Sequence, residues 1–310
     1  KCFMRKPCCL NLKTMKSKFF LLRLIISGCS ASHKIEIETT EYKVFPPTGT
    51  VEISPNFYAD ISEMTTIGYR EYLSWLDLIY GKDSEIRKEA QFDANVWYDV
   101  KEDVFARIYF SHPSYTQYPI VGITLEQAKK YSEWRTERVV EQSLIAKGLI
   151  EFSLDRTPEN HFTIERYMEG KMDWIVKQED FLVAEYTIPT EEEWEQLVKC
   201  EGAEFSCMNE NSRENKKMKK NRYSIYNTRT EDGHMNLSMV DGWQGLDTKG
   251  MYGLIGNVSE MVDKEGVSKG GHWNKSLEEI KENISDTFEE ANSWTGFRNV
   301  CRYKLVKIKD

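Results

Sequence analysis

The sequence predicts an α+β domain with long irregular connections, on three observations. Two stretches open on a capping box and continue with apolar residues at helical spacing. Short strand-like runs directly precede helical stretches. The last hundred residues break into brief apolar runs separated by Gly, Asn and Asp. With 310 residues, 40% hydrophobic and 12% aromatic, the chain can bury a sizeable core.

The N-terminal segment comes first. "MKSKFFLLRLIISGCS" has a basic start, a short apolar stretch interrupted by Arg23, and the small pair Ser27-Gly28 before Cys29. A basic region followed by a short apolar one reads as a secretory signal, too short to span a bilayer. The small residues before a cysteine look like a bacterial lipobox, with residues 1–28 as signal peptide and Cys29 as the acylated first residue. An ordinary cleaved signal, or an over-extended reading frame, are the alternatives. Because the chain opens on Lys1, Met15 can be the start, with residues 1–14 untranslated. Ser30, rather than Asp, after Cys29 points away from retention at the inner membrane, so the expected location is the cell envelope, as an outer-membrane lipoprotein facing the periplasm.

Charge agrees with this division. Residues 1–28 hold seven of the 42 basic residues and none of the 50 acidic ones. The remaining body is strongly acidic and lacks the basic face that phosphate backbones need, so nucleic acid is not an expected partner. Of seven cysteines, only Cys200, Cys207 and Cys301 belong to the body. Cys200 and Cys207 can close a short loop in an oxidising compartment. The five histidines are scattered and no zinc-like Cys/His spacing occurs.

Residues 29–44 read as a tether ahead of Pro46-Pro47. "VEISPNFYADISEMTTIGYREYLSWLDLIYG" then predicts strand, turn and helix, with Thr65 or Thr66 as cap and Tyr69, Tyr72, Leu73 and Leu76 on one face. "YPIVGITLEQAKKYSEW" predicts a strand and a long helix opened by Thr124 and Gln127, with Ala128, Tyr131, Trp134 and Val139 inward and an end near Gly148. Residues from about 136 to 186 carry mixed signals and read as an insertion. "YTIPTEEEWEQLVKC" opens a further helix through Thr190 and Glu193, carrying Trp194 and Leu197. The run Lys216–Arg222 is basic and reads as a solvated loop. A short helical pattern returns near 276–284.

Four stretches, "YPIVGITLEQAKKYSEW", "YTIPTEEEWE", "GMYGLIGNVSEMV" and "SKGGHW…TGFRNVCR", resemble in order the signatures of the formylglycine-generating-enzyme (sulfatase-modifying factor) family. The resemblance covers roughly 45–305 and implies a domain over 45–308 with a C-type-lectin-like fold. Gly270, Gly271, His272, Trp273, Gly296, Phe297 and Arg298 are the positions that carry it at the C-terminal end. "WRTERVVEQSLIAKGLI" and "NHFTIERYMEGK" also resemble the insertion of the gliding-motility and type IX secretion lipoproteins.

In the oxidases of that family the glycine pair leads to two cysteines that bind copper(I), an ion that soft thiolates suit. Here those positions fall near Lys275 and Ile280, so no copper is expected. His272 titrates near neutrality in principle, but a lone loop histidine serves more often as a hydrogen-bonding residue than as a base. The resemblance also implies structural calcium. Asn257, the Val258 carbonyl and Glu260 match the family's GN-x-x-E site, and Asn227 with Asp241 offers a weaker second one. The competing reading is that Asn257 and Glu260 hydrogen-bond the loop itself.

Three functions are compatible with these residues. The first is a lipid-anchored, non-catalytic domain, a pseudoenzyme acting as scaffold among envelope proteins of a secretion or gliding-motility assembly. The second is a metal-dependent oxidase of the same superfamily, and the third a glycan- or peptide-binding surface lipoprotein.

Overall fold

Two four-stranded sheets, a two-stranded hairpin and two principal helices make up the regular part of the fold. A computed structural model describes residues 32–38, 40–100, 102–199, 237–241 and 250–308. The strands are β1 His33–Ile37, β2 Thr40–Val44, β3 Thr50–Ser54, β4 Phe57–Asp60, β5 Phe181–Thr187, β6 Ser259–Met261, β7 Val267–Lys269, β8 Ser285–Thr287, β9 Thr295–Gly296 and β10 Val300–Val306. The helices are α1 Thr66–Tyr80, α2 Glu85–Glu89, α3 Val96–Asp99, α4 Asp103–Ile108, α5 Leu125–Ala146, α6 Ile164–Met168, α7 Glu191–Lys199 and α8 Leu277–Glu282.

Helix α1 starts where Thr65 Oγ1 accepts the Gly68 N–H, at 3.1 Å. It ends where Gly81 donates back to the Asp77 carbonyl. Its buried face is Tyr69, Tyr72, Leu73, Leu76 and Ile79, at the spacing the sequence predicts. Helix α5 opens on the complete Thr124/Gln127 capping box. Tyr131 of α5 stacks on Tyr69, centroids 5.7 Å apart, and Tyr72 meets Trp134 at 5.3 Å. The Thr190/Glu193 box opens α7 in the same way. Trp194 and Leu197 go into a core with Ile53, Phe57, Met251, Leu254 and Val262. Further along α5 the inward residues are Val140 and Leu144, with Val139 only partly covered.

One sheet has the order β3-β4-β10-β5, all antiparallel; β10 and β5 pair over seven residues, from Val300 opposite Thr187 to Val306 opposite Phe181. Helix α5 covers β5, and Thr136 Oγ1 accepts the Tyr186 N–H at 2.9 Å, so a helix side chain occupies a strand donor. The second sheet, β8-β7-β6-β9, is small, with β9 parallel to β6.

Two expectations change here. Residues 33–44, expected as part of a tether, form an antiparallel hairpin of β1 and β2 with Ile35 and Val44 buried. Alternating apolar positions inside a charged stretch were enough to fold it. The insertion expected at 136–186 is also narrower. Its first residues complete α5 and its last form β5, the partner of the C-terminal strand. The segment between closes over its own small core, where Leu149, Ile150, Phe162, Tyr167 and Met172 pack on Val140, Leu144, Phe181 and Val183. The lipobox, Asn227, the Cys200–Cys207 loop and the basic run Lys216–Arg222 lie outside the described residues.

Candidate functional site

The glycine pair sits between two loops and a helix. Gly270 (φ 100°) donates to the Ile284 carbonyl at 2.9 Å and accepts from the Gly256 N–H at 2.9 Å. A Cβ there would stand 2.7 Å from the Leu254 carbonyl oxygen. Gly271 (φ 70°) lies against α8, and a Cβ on it would run into the Ile280 side chain. Both positions therefore need glycine for conformation and for space.

The pair delivers His272 and Trp273 inward. Trp273 donates its backbone N–H to the Asn257 carbonyl at 3.0 Å and its indole N–H to the Ser293 carbonyl at 2.9 Å. Its ring stacks on Trp97 at 6.1 Å. His272 stacks on Trp294, centroids 4.4 Å apart, and its Nδ1 accepts the Asn274 N–H. Burial drives its pKa down to about 4, against an opposing pull from Asp286. At neutral pH it is an uncharged, packed imidazole, which suits a structural ring better than a base.

The two positions where the family resemblance places cysteines are both occupied structurally. Lys275 is ion-paired with the buried Asp286. Ile280 is fully buried and fills the space beside Gly271. Cys301 is buried in β10, opposite Tyr58 on one side and Tyr186 on the other, and burial pushes its thiol well above the usual range. It is a packing residue.

The GN-x-x-E stretch forms a buried polar network. Both oxygens of Glu260 are engaged. Oε1 accepts from Arg298 Nε (3.0 Å) and Nη2 (2.7 Å), and Oε2 accepts from the Trp194 indole N–H at 2.7 Å. Arg298 also donates to the Asp60 carbonyl at 2.7 Å and the Tyr252 carbonyl at 2.5 Å. Neither residue of the pair is exposed at all. Asn257, held at φ 58°, accepts the Ser238 N–H on Oδ1 and donates from Nδ2 to Glu63 Oε1, each at 3.0 Å. Val258 is fully buried, its side chain against Gly296 of the strand that pairs with β6. Phe297, beside it, packs on Tyr131 and gives its carbonyl to the Met64 N–H.

These donors do not fit the calcium that the resemblance implies. A hard cation needs several free oxygens, and here the guanidinium of Arg298 already lies within hydrogen-bond distance of Glu260. Asp241 is exposed, and its expected companion Asn227 lies outside the described residues. Among the described residues no group of three or more His, Cys, Asp or Glu is arranged to hold a metal. Saturating calcium followed by a chelator is expected to move the thermal midpoint by less than about 1 °C, because an ion stabilises only the state that binds it. A rise that reverses on chelation would show that the network opens to take the ion.

Two residues of the network carry no sequence signature. Glu63 is fully buried, its Oε2 lacks a hydrogen-bond partner, and burial raises its pKa to about 8, against the pull of Arg298 and with a push from Glu260. Asp60 holds Arg135 of α5 through two bonds of 2.6 and 2.8 Å. Asn299 ties that pair to Ser132. The only available signal was polar residues, "ADISE" and "GFRN", beside strand-like runs.

Comparison with known proteins follows this geometry. The family model described as "Sulfatase-modifying factor enzyme 1-like domain" matches residues 24–303. No curated protein matches. The solved structure titled "Crystal Structure of CarF" is similar at TM-score 0.38 and 15% identity, over 79% of this chain and 86% of that one.

Proposed function

The chain belongs to the sulfatase-modifying factor enzyme 1-like family, with its C-type-lectin-like fold, and we propose that within it this protein is a lipid-anchored, non-catalytic scaffold. The observation that carries the reading is the reuse of the two cysteine positions, Lys275 in an ion pair with Asp286 and Ile280 in the core against Gly271. Copper(I) and oxygen chemistry need a thiolate pair, and neither an ammonium nor an alkyl group supplies one. His272, buried and stacked on Trp294, is a single imidazole and does not supply the missing thiolate pair.

The anchor is Cys29 of the lipobox-like segment, and the compartment is the envelope at the outer membrane. Partners are envelope proteins, and the resemblance to gliding-motility and type IX secretion lipoproteins gives the kind of assembly. The test of non-catalysis is direct. The purified protein, supplied with copper(I), oxygen and cysteine-containing peptides, is expected to consume no oxygen and to form no formylglycine above the protein-free rate. Turnover that scales with protein and is lost on chelation would establish an oxidase and overturn this reading.

A further inference from the structure

The hairpin that replaces the expected tether has a consequence for how the protein meets the membrane. His33 pairs with Val44, so Ser32 and Phe45 stand at its open end, about one strand spacing apart. Only Ser30 and Ala31 separate Ser32 from Cys29, three chain steps with a reach of at most about 11 Å. Phe45 is 55% exposed yet firmly held. Val44, before it, is buried, and the Phe45 carbonyl accepts from the Tyr303 hydroxyl at 2.8 Å. Pro46 and the buried Pro47 follow, with the Pro47 carbonyl bonded to the Thr50 N–H. An ordered, exposed aromatic residue is thus presented where the chain leaves for the anchor.

Charge along the same hairpin face is graded. Alternation puts Phe45 and Lys43 on one face, and the register sets Lys34 opposite Lys43. Both lysines are exposed, Lys43 with no ion pair among the described residues and Lys34 in a solvent-facing pair with Glu41 at 2.5 Å, which water screens and a headgroup phosphate can replace. The next pair on that face is Glu36 opposite Glu41, followed at the turn by Glu38, which pairs with Lys307. From the anchor end outward the face reads aromatic, basic, acidic. A bilayer surface presents that order in complement: an apolar boundary, then phosphate headgroups, then water.

We propose that the Phe45, Lys34 and Lys43 face of the hairpin is a phospholipid-headgroup contact that lays the domain on the membrane beside the acylated Cys29. The proposal rests on the lipid-anchor reading. Phe45 enters the interface, and the lysines meet headgroup phosphates. The glutamates keep the turn end in water. The domain then projects from the bilayer in one orientation instead of swinging on a leash, which suits a scaffold.

The test uses the full chain, acylated in cells and reconstituted in phosphatidylethanolamine vesicles with a minor share of phosphatidylglycerol. An environment-sensitive fluorophore is placed at Phe45→Cys or, as reference, at the exposed Leu154→Cys, each in a Cys200→Ser, Cys207→Ser background. Nitroxide-bearing lipids are expected to quench position 45 at least about threefold more than position 154, as interfacial burial requires. Lys34→Glu with Lys43→Glu is expected to reduce that quenching. The mass of the N-terminal peptide is read on the same sample. An acylated protein with equal quenching at both positions overturns the headgroup contact alone. A protein without acyl chains overturns the anchor reading, and the contact with it.

Discussion

Replacing Arg298 with Met is expected to cost about 3–5 kcal/mol of folding stability, the scale for breaking one side of a buried ion pair. For a domain of this size the thermal midpoint falls by roughly 10 °C. The cause is what remains behind. Glu260 is fully buried and loses two of its three donors, keeping only the Trp194 indole. The Asp60 and Tyr252 carbonyls lose their donors as well. Adding Glu260→Gln to Arg298→Met is expected to recover part of the loss, because an uncompensated charge then becomes a neutral amide. Denaturant unfolding of the two variants checks this. A loss below about 1 kcal/mol for the single variant would place Glu260 in contact with water or an ion and contradict the network.

The second large effect is a pH dependence assigned to Glu63. Its folded pKa, raised to about 8, exceeds the ordinary glutamate value of 4.5 taken for the unfolded chain. Between those values the folded state holds a proton that the unfolded state has released. The stability this group contributes is therefore fully present below pH 4.5 and is lost as pH rises through about 8. Integrated over the window, the loss is on the order of 5 kcal/mol. Glu63→Gln keeps an acceptor for the Asn257 amide and removes the titration. The variant is expected to match the parent near pH 4 and to exceed it increasingly towards pH 8. Subtracting the two profiles cancels the partly buried Glu137 and the buried Glu141, whose pKa values burial also raises. Parallel profiles would mean that Glu63 is ionised throughout.

The helices were legible because their signals are local. Thr65, Thr124 and Thr190 each announce a helix start within four residues of sequence, and each caps as expected. The family's motifs were legible for the same reason. Sheet pairing was not, since β10 meets β4 and β5 from more than a hundred residues away and no short pattern records the register. The hairpin over 33–44 was hidden by its charge: Ile35, Ile37, Tyr42 and Val44 share its inner face, but they are scattered among Lys, Glu and Thr. The GN-x-x-E stretch marks the limit of such reading. Asn257 and Glu260 are oxygen-bearing residues at metal-like spacing, but their partners, Glu63, Trp194 and Arg298, come from three distant segments. Donor chemistry can be seen in sequence; what already satisfies it cannot.

The measurement that tests the scaffold reading most directly is a crosslinking pull-down of the tagged protein at native expression, beside its Cys29→Ala variant. The scaffold reading predicts envelope proteins recovered in fixed proportion with the acylated chain and lost with the variant. Recovery of a lone monomer from both strains would contradict it.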